Sequence, residues 1–186
     1  MLEFLWNNIK TLLSAIEDCR NRKQILPCLV LTYSGIDIVA SLEKIPEERT
    51  GATFQRWANN YLLPEKNLDC SAEDLYGARC GIVHAFSSAS DYSRAGKARE
   101  ITYAWGNASA ANLRAINKAF GKNYIVLDVD ELIEVFKNGV NTFFADLLKD
   151  PIRKNLVEKN TGVWFTNMDK AIIDSVMNIL DKSPDT

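Results

Sequence analysis

The sequence predicts a mainly α-helical fold, a helical bundle followed by a small α+β extension. Three observations predict it. Apolar residues recur at helical spacing through most of the first 86 positions. Two short runs, 99–105 and 123–129, are instead rich in β-branched and aromatic residues and bounded by Gly or Asn. No internal repeat or low-complexity tract breaks the chain, and no clean linker divides it. Its 186 residues suffice for one domain with a sizeable core, so 1–186 reads as a single domain, with 1–86 as helical core and 99–186 packed on it.

Each element has a local reason. Leu2, Leu5, Trp6, Ile9, Leu12, Leu13 and Ile16 lie on one face of a first helix over residues 2–20. Residues 24–44 form a second helix, apolar nearly all round and therefore central. Pro27 falls in its first turns, where a missing N–H costs least. Pro46 to Gly51 is a loop. Phe54, Trp57, Ala58, Tyr61 and Leu62 mark a short third helix that Pro64 stops. Ser71 caps a fourth helix, which runs to about His84 with Glu73 and Asp74 in its first turn. Residues 87–96, small and polar, read as an exposed loop. Strands over 99–105 and 123–129 flank a helix over 109–120. Asp128 or Asp130 caps the next helix, which reaches about Leu148, and residues 167–181 look like a last helix.

Composition excludes several function classes. Net charge is −2 and the pI is near 5.5, so a whole-chain basic footprint for nucleic acid is absent and any RNA contact is local. Cys19, Cys28, Cys70 and Cys80 include no C-x-x-C pair, and one histidine does not complete a usual zinc site. No metal and no cofactor are therefore expected. The cysteines read as reduced thiols of a cytoplasmic protein. The N-terminus has no basic region ahead of its apolar residues and reads as an amphipathic helix rather than a signal peptide. The longest apolar run, Ile25 to Leu31, is too short to span a bilayer, so no membrane is expected as a partner.

The fourth helix carries the candidate chemistry. Its last turns hold the single histidine, His84, five positions after Arg79. An imidazole is suited to proton transfer near neutrality, and a guanidinium to holding phosphate charge. On a helical wheel Ala72, Leu75, Ala78, Ile82 and Phe86 share the core side. Glu73, Gly77, Cys80, Gly81 and His84 lie roughly opposite. Two glycines one turn apart signal close approach of another backbone, either within the chain or from a second subunit about a two-fold axis. Arg79 falls at the edge of the core face and needs a partner. Asp37, between Ile36 and Ile38 on the most apolar helix, is the attractive one. A spacing of five does not place Arg79 beside His84 on one face. They converge only if the arginine wraps round or two subunits share a groove.

The stretch Arg79-Cys-Gly-Ile-Val-His84 resembles the R-x4–6-H motif of the HEPN superfamily, small α-helical bundles many of which are endoribonucleases. Leu75 to His84 resembles the fourth helix of such bundles, and Tyr33-Ser-Gly-Ile-Asp37-Ile-Val-Ala their second core helix. The likeness covers roughly residues 1–86. It implies an up-and-down bundle and a homodimer whose cleft is lined by Arg79 and His84 of both subunits. It also implies RNA cleavage to 2′,3′-cyclic phosphate ends without a metal, in a stress or defence setting. His84 would act as general base or acid on a ribose 2′-hydroxyl, and Arg79 would stabilise the phosphorane-like charge. Asp37, Glu73 and Cys80 would support them. A partner or antitoxin protein is a further implication. Cys80 stands where active members often carry Asn or Asp, and Phe86 where some toxin members carry Tyr. The alternative is a non-catalytic interaction or regulatory module that keeps the bundle without the chemistry. Arg94, Lys97 and Arg99 are candidate contacts for a phosphate backbone or residues of a solvated loop. Trp57, Trp105 and Trp164 are candidate base-stacking rings or core residues.

Overall fold

A computed structural model describes residues 2–66 and 68–161, together with Ile173, Asp174, Met177 and Asn178. Helices dominate it. α1 (Leu2–Asn21) buries Leu5, Ile9 and Ile16 on its apolar stripe and packs along α2 (Ile25–Ser41). α2 is the central helix, in contact with α1, α3, α4 and α7, as its all-round apolarity requires. α3 (Thr50–Trp57) runs on into a single π-helical turn, Ala58–Leu62, before the chain turns at Pro64. α4 (Ala72–Ala85) follows, then a short helix, α5 (Asp91–Arg94), inside the segment expected to be loop.

The extension is a β–α–β unit. β1 (Ile101–Ala104) and β2 (Ile125–Asp128) pair in parallel with Ile101 opposite Ile125, and α6 (Ala110–Ala119) makes the crossover. Asp128 caps α7 (Val129–Lys149), accepting from the Asp130 and Glu131 amides at 2.9 and 3.1 Å. α7 returns to the bundle and buries Phe136, Val140 and Phe143 against α2 and the π turn. Ile101, Ile125 and Leu127 of the sheet and the bundle residues belong to one continuous buried cluster. α8 (Pro151–Thr161), which apolar spacing does not announce, follows directly. Of the helix expected over 167–181, only Ile173, Asp174, Met177 and Asn178 are described, as exposed helical residues; the rest lies outside the described residues. Among the described residues no helix is long and apolar enough to cross a membrane.

A polar contact joins the two parts of the core. The Tyr33 and Tyr103 hydroxyls meet at 2.7 Å, and burial pushes both phenols well above their ordinary range. Tyr103→Phe strands the Tyr33 hydroxyl in a fully buried place and is expected to cost about 1–3 kcal/mol in urea unfolding. The Tyr33→Phe/Tyr103→Phe double variant should regain most of that loss. A double variant no better than the single one would refute this account.

Candidate functional site

α4 is placed by its two ends. Ser71 Oγ accepts from the Asp74 amide at 3.2 Å, and Asp74 Oδ2 accepts from the Ser71 amide at 2.9 Å, a reciprocal capping box. Asp74 also receives Arg99, whose amide donates to Oδ1 at 2.7 Å and whose Nη2 donates to Oδ2 at 2.7 Å. Burial works to raise the Asp74 carboxyl, but the bonds from Arg99 and Ser71 outweigh it and leave the group below the usual carboxylate range. At the other end the Ser87 amide closes back on the Gly81 carbonyl at 3.1 Å. Phe86 makes that turn in the left-handed region, with φ 48° and ψ 38°.

Phe86 is thus not on the core face. The helix stops one residue earlier, and its ring is 69% exposed. Left-handed backbone costs a non-glycine residue roughly 1–2 kcal/mol. Little packing is lost with an exposed ring, so Phe86→Gly is expected to raise stability by about 1 kcal/mol, read from the urea midpoint. A lowered midpoint would show that the ring is held by contacts worth more than the strain.

The backbone that Gly77 and Gly81 admit is the chain's own. A Cβ on Gly81 would collide with the Ser87 carbonyl, and one on Gly77 would stand 2.7 Å from Ala98 Cβ. Segment 87–98 fills this face, so the two glycines are not available to a second subunit. The expectation of a dimer contact through them is replaced by intramolecular packing.

The chemistry-bearing side chains meet at the C-terminal end of α4. Arg79 Nε donates to Asp37 Oδ2 on α2, and both side chains are only 16% exposed. Burial pushes the Asp37 carboxyl up from its ordinary value, against the pull of Arg79 and His84. Asp37 Oδ1 is buried and finds no hydrogen-bond partner among the described residues. Arg79 Nη1 lies 2.7 Å from His84 Nε2. The spacing of five is overcome by the length of the guanidinium arm, which curls along the helix within a single chain. An arginine N–H only donates, so in this contact Nε2 takes the acceptor role. Asp37, Arg79 and His84 therefore form a line from the core to solvent, with His84 at its exposed end.

The other candidates are distributed differently. Cys80 is half-buried beside both Arg79 and Tyr76; burial, with that thiol next to it, pushes the Tyr76 phenol above its ordinary range. Glu73 is exposed in the first turn of α4, about 16 Å of helix rise from His84. Arg99 is spent on Asp74. Arg94 pairs with Asp91 at 2.8 Å, and Lys97 lies 5.7 Å from the Tyr92 ring centroid. Trp57 is buried, Trp105 packs partly against the core, and Trp164 lies outside the described residues. Two residues that sequence reasoning missed stand by His84. Tyr76, three positions before Arg79, and Tyr92, in the supposed loop, meet edge to face with centroids 5.3 Å apart. With Cys80, His84 and Arg94 they line a pocket of about 370 Å³. Among the described residues no three His, Cys, Asp or Glu side chains gather as metal ligands.

The arrangement offers one fixed cation, one exposed proton acceptor and an adjoining aromatic pocket. No protein family, curated protein or solved structure matches this chain.

Proposed function

We propose that this chain is a HEPN-like protein that binds RNA and cleaves it at the Arg79–His84 site, leaving 2′,3′-cyclic phosphate ends. The observation that supports it is the 2.7 Å approach of Arg79 Nη1 to His84 Nε2, with His84 exposed and Arg79 anchored from behind by Asp37. A phosphodiester displaces the arginine from the imidazole. The phosphate then accepts from Arg79, and Nε2 is free to take the proton of a ribose 2′-hydroxyl. The 2′ oxygen attacks phosphorus, and the bond from phosphorus to the 5′ oxygen breaks. The departing oxygen takes a proton from water, and the hydroxide left behind takes the proton that Nε2 accepted, which restores the imidazole. Arg79 faces the negative charge that builds on the phosphoryl oxygens. The homodimer and the stress or defence setting come into this reading from the resemblance.

A second reading draws on the same contact. A guanidinium only 16% exposed against Asp37 is what a non-catalytic module would also hold. One experiment separates the two: wild-type protein and His84→Ala are incubated with labelled mixed-sequence RNA in EDTA and the products examined for cyclic-phosphate ends. The nuclease reading expects cleavage by wild type and its loss in the folded variant. No cleavage by either protein, both folded, favours the interaction module.

A further inference from the structure

We propose that the pocket beside His84 is a nucleobase subsite, which holds the base of the unpaired nucleotide next to the phosphate engaged by Arg79 and His84. This rests on the RNA reading above for its ligand class, while its physical basis is separate. The pocket, about 370 Å³, falls within the range of roughly 300–1,000 Å³ of small-ligand sites. His84 lines it, so base and phosphate positions share a wall.

The lining suits a heterocycle. Tyr76 and Tyr92 stand at 88° to one another and form an aromatic corner. Single-stranded RNA is recognised largely by base contact with aromatic side chains and by hydrogen bonds to base edges. Polar groups for those bonds lie around the corner: the Cys80 thiol, and the Asp91–Arg94 ion pair at 2.8 Å, in which Asp91 is 99% exposed. A base in this pocket has left its duplex partner, so paired RNA is excluded.

The pocket is also preformed. Its outer wall, 89–94, is tied down by the Ala89 amide to Ser87 Oγ at 3.1 Å. The Ser90 and Ser93 amides and hydroxyls cross-bond at 2.8 and 3.1 Å. Gly77 and Gly81 let the flanking chain press onto α4 without a Cβ between them. A site held in shape before binding loses less entropy on occupation.

Charge accounting gives the base a necessary role. Arg99 is paired with Asp74, Asp91 offsets the charge of the exposed Arg94, and the chain is net negative. Phosphate contacts alone then supply little affinity, and single-strand binding should show a shallow salt dependence, with a slope of about −0.7 per phosphate engaged.

The test measures binding of uridine and adenosine 3′-monophosphates, ribose 5-phosphate and inorganic phosphate by calorimetry. At least one nucleotide is expected to bind ten or more times tighter than ribose 5-phosphate. Ala85 is exposed and lines the pocket, so Ala85→Leu fills it without touching the core. That variant should bring the nucleotide to the affinity of ribose 5-phosphate with an unchanged unfolding temperature, and Tyr92→Ala should do the same if it folds. Equal binding of nucleotide and ribose 5-phosphate overturns the subsite, as does undetectable nucleotide binding or full nucleotide affinity in Ala85→Leu. A protein that shows base preference but cuts no RNA loses the cleavage reading and keeps the subsite. One that cuts RNA without base preference does the reverse.

Discussion

Asp37→Ala is expected to lower stability by about 3–5 kcal/mol, because it leaves a mostly buried guanidinium without its counter-charge. Arg79 is 16% exposed and has Asp37 on one side and His84 on the other. With the carboxylate gone its side-chain neighbours include the His84 imidazole and the Cys80 thiol, neither of which replaces the carboxylate. The same change removes the anchor that holds the guanidinium beside His84, so on the nuclease reading cleavage falls with stability. The effect belongs to the pair rather than to either charge. An Asp37→Leu/Arg79→Met double variant removes both desolvated groups and should recover most of the unfolding free energy while remaining inactive. Urea unfolding of the three proteins checks this. A single variant within about 0.5 kcal/mol of wild type would show that Arg79 finds water easily and that Asp37 does not position it.

Arg153→Ala is expected to cost a similar amount just beyond the C-terminal end of α2. Glu43, just past α2, is 8% exposed and receives Arg153 Nε at 2.6 Å. Arg153 Nη2 also donates to the Tyr61 hydroxyl, and the guanidinium carbon lies 5.8 and 6.0 Å from the Tyr61 and Phe143 ring centroids. Arg56 bonds Glu43 at its carbonyl and otherwise donates to Glu48, so the Glu43 carboxylate loses its hydrogen-bonded cation when Arg153 goes. The loss is about 3–5 kcal/mol by the cost of an unpaired buried charge. It should appear with faster amide exchange throughout α8, where Asn160 alone would still bind the Leu42 and Lys44 carbonyls. Unchanged exchange in α8 would mean that apolar packing at Val157 holds the helix instead.

α8 shows why part of the fold is not legible in the sequence. Its fastenings are polar and distant, Arg153 to Glu43 and Asn160 to Leu42, and polar contacts leave no apolar period behind. Its neighbour α7 is legible, because Leu132, Phe136, Val140 and Phe143 recur on one face and all are buried. The caps at Ser71 and Asp128 can be read from residue type, since a side-chain acceptor before an apolar run has few other uses.

The site divides in the same way. Periodicity puts Arg79 at the edge of the core and Asp37 in it, and electrostatics then makes them partners. Periodicity also sets Arg79 and His84 apart, because a helical wheel describes where side chains start and not how far they reach. For Gly77 and Gly81 the residue type announces close approach but does not say whose backbone approaches. Tyr92 was not legible at all, since a tyrosine among serines carries no pattern until the chain folds it onto Tyr76.

The π turn at Ala58–Leu62 has a consequence for how this gene can change. A π turn takes up one residue more than an α turn in the same rise. Here it lies against α7, with the Tyr61 carbonyl filling the space that a side chain on Gly139 would need. Trp57, Tyr61 and Leu62 are all buried across that widened turn. Deleting one codon in this stretch would relax the helix to its ordinary pitch and swing Tyr61 and Leu62 out of register with the core. A conservative replacement of either would disturb far less. In this segment the number of residues is a stricter inheritance than their identity.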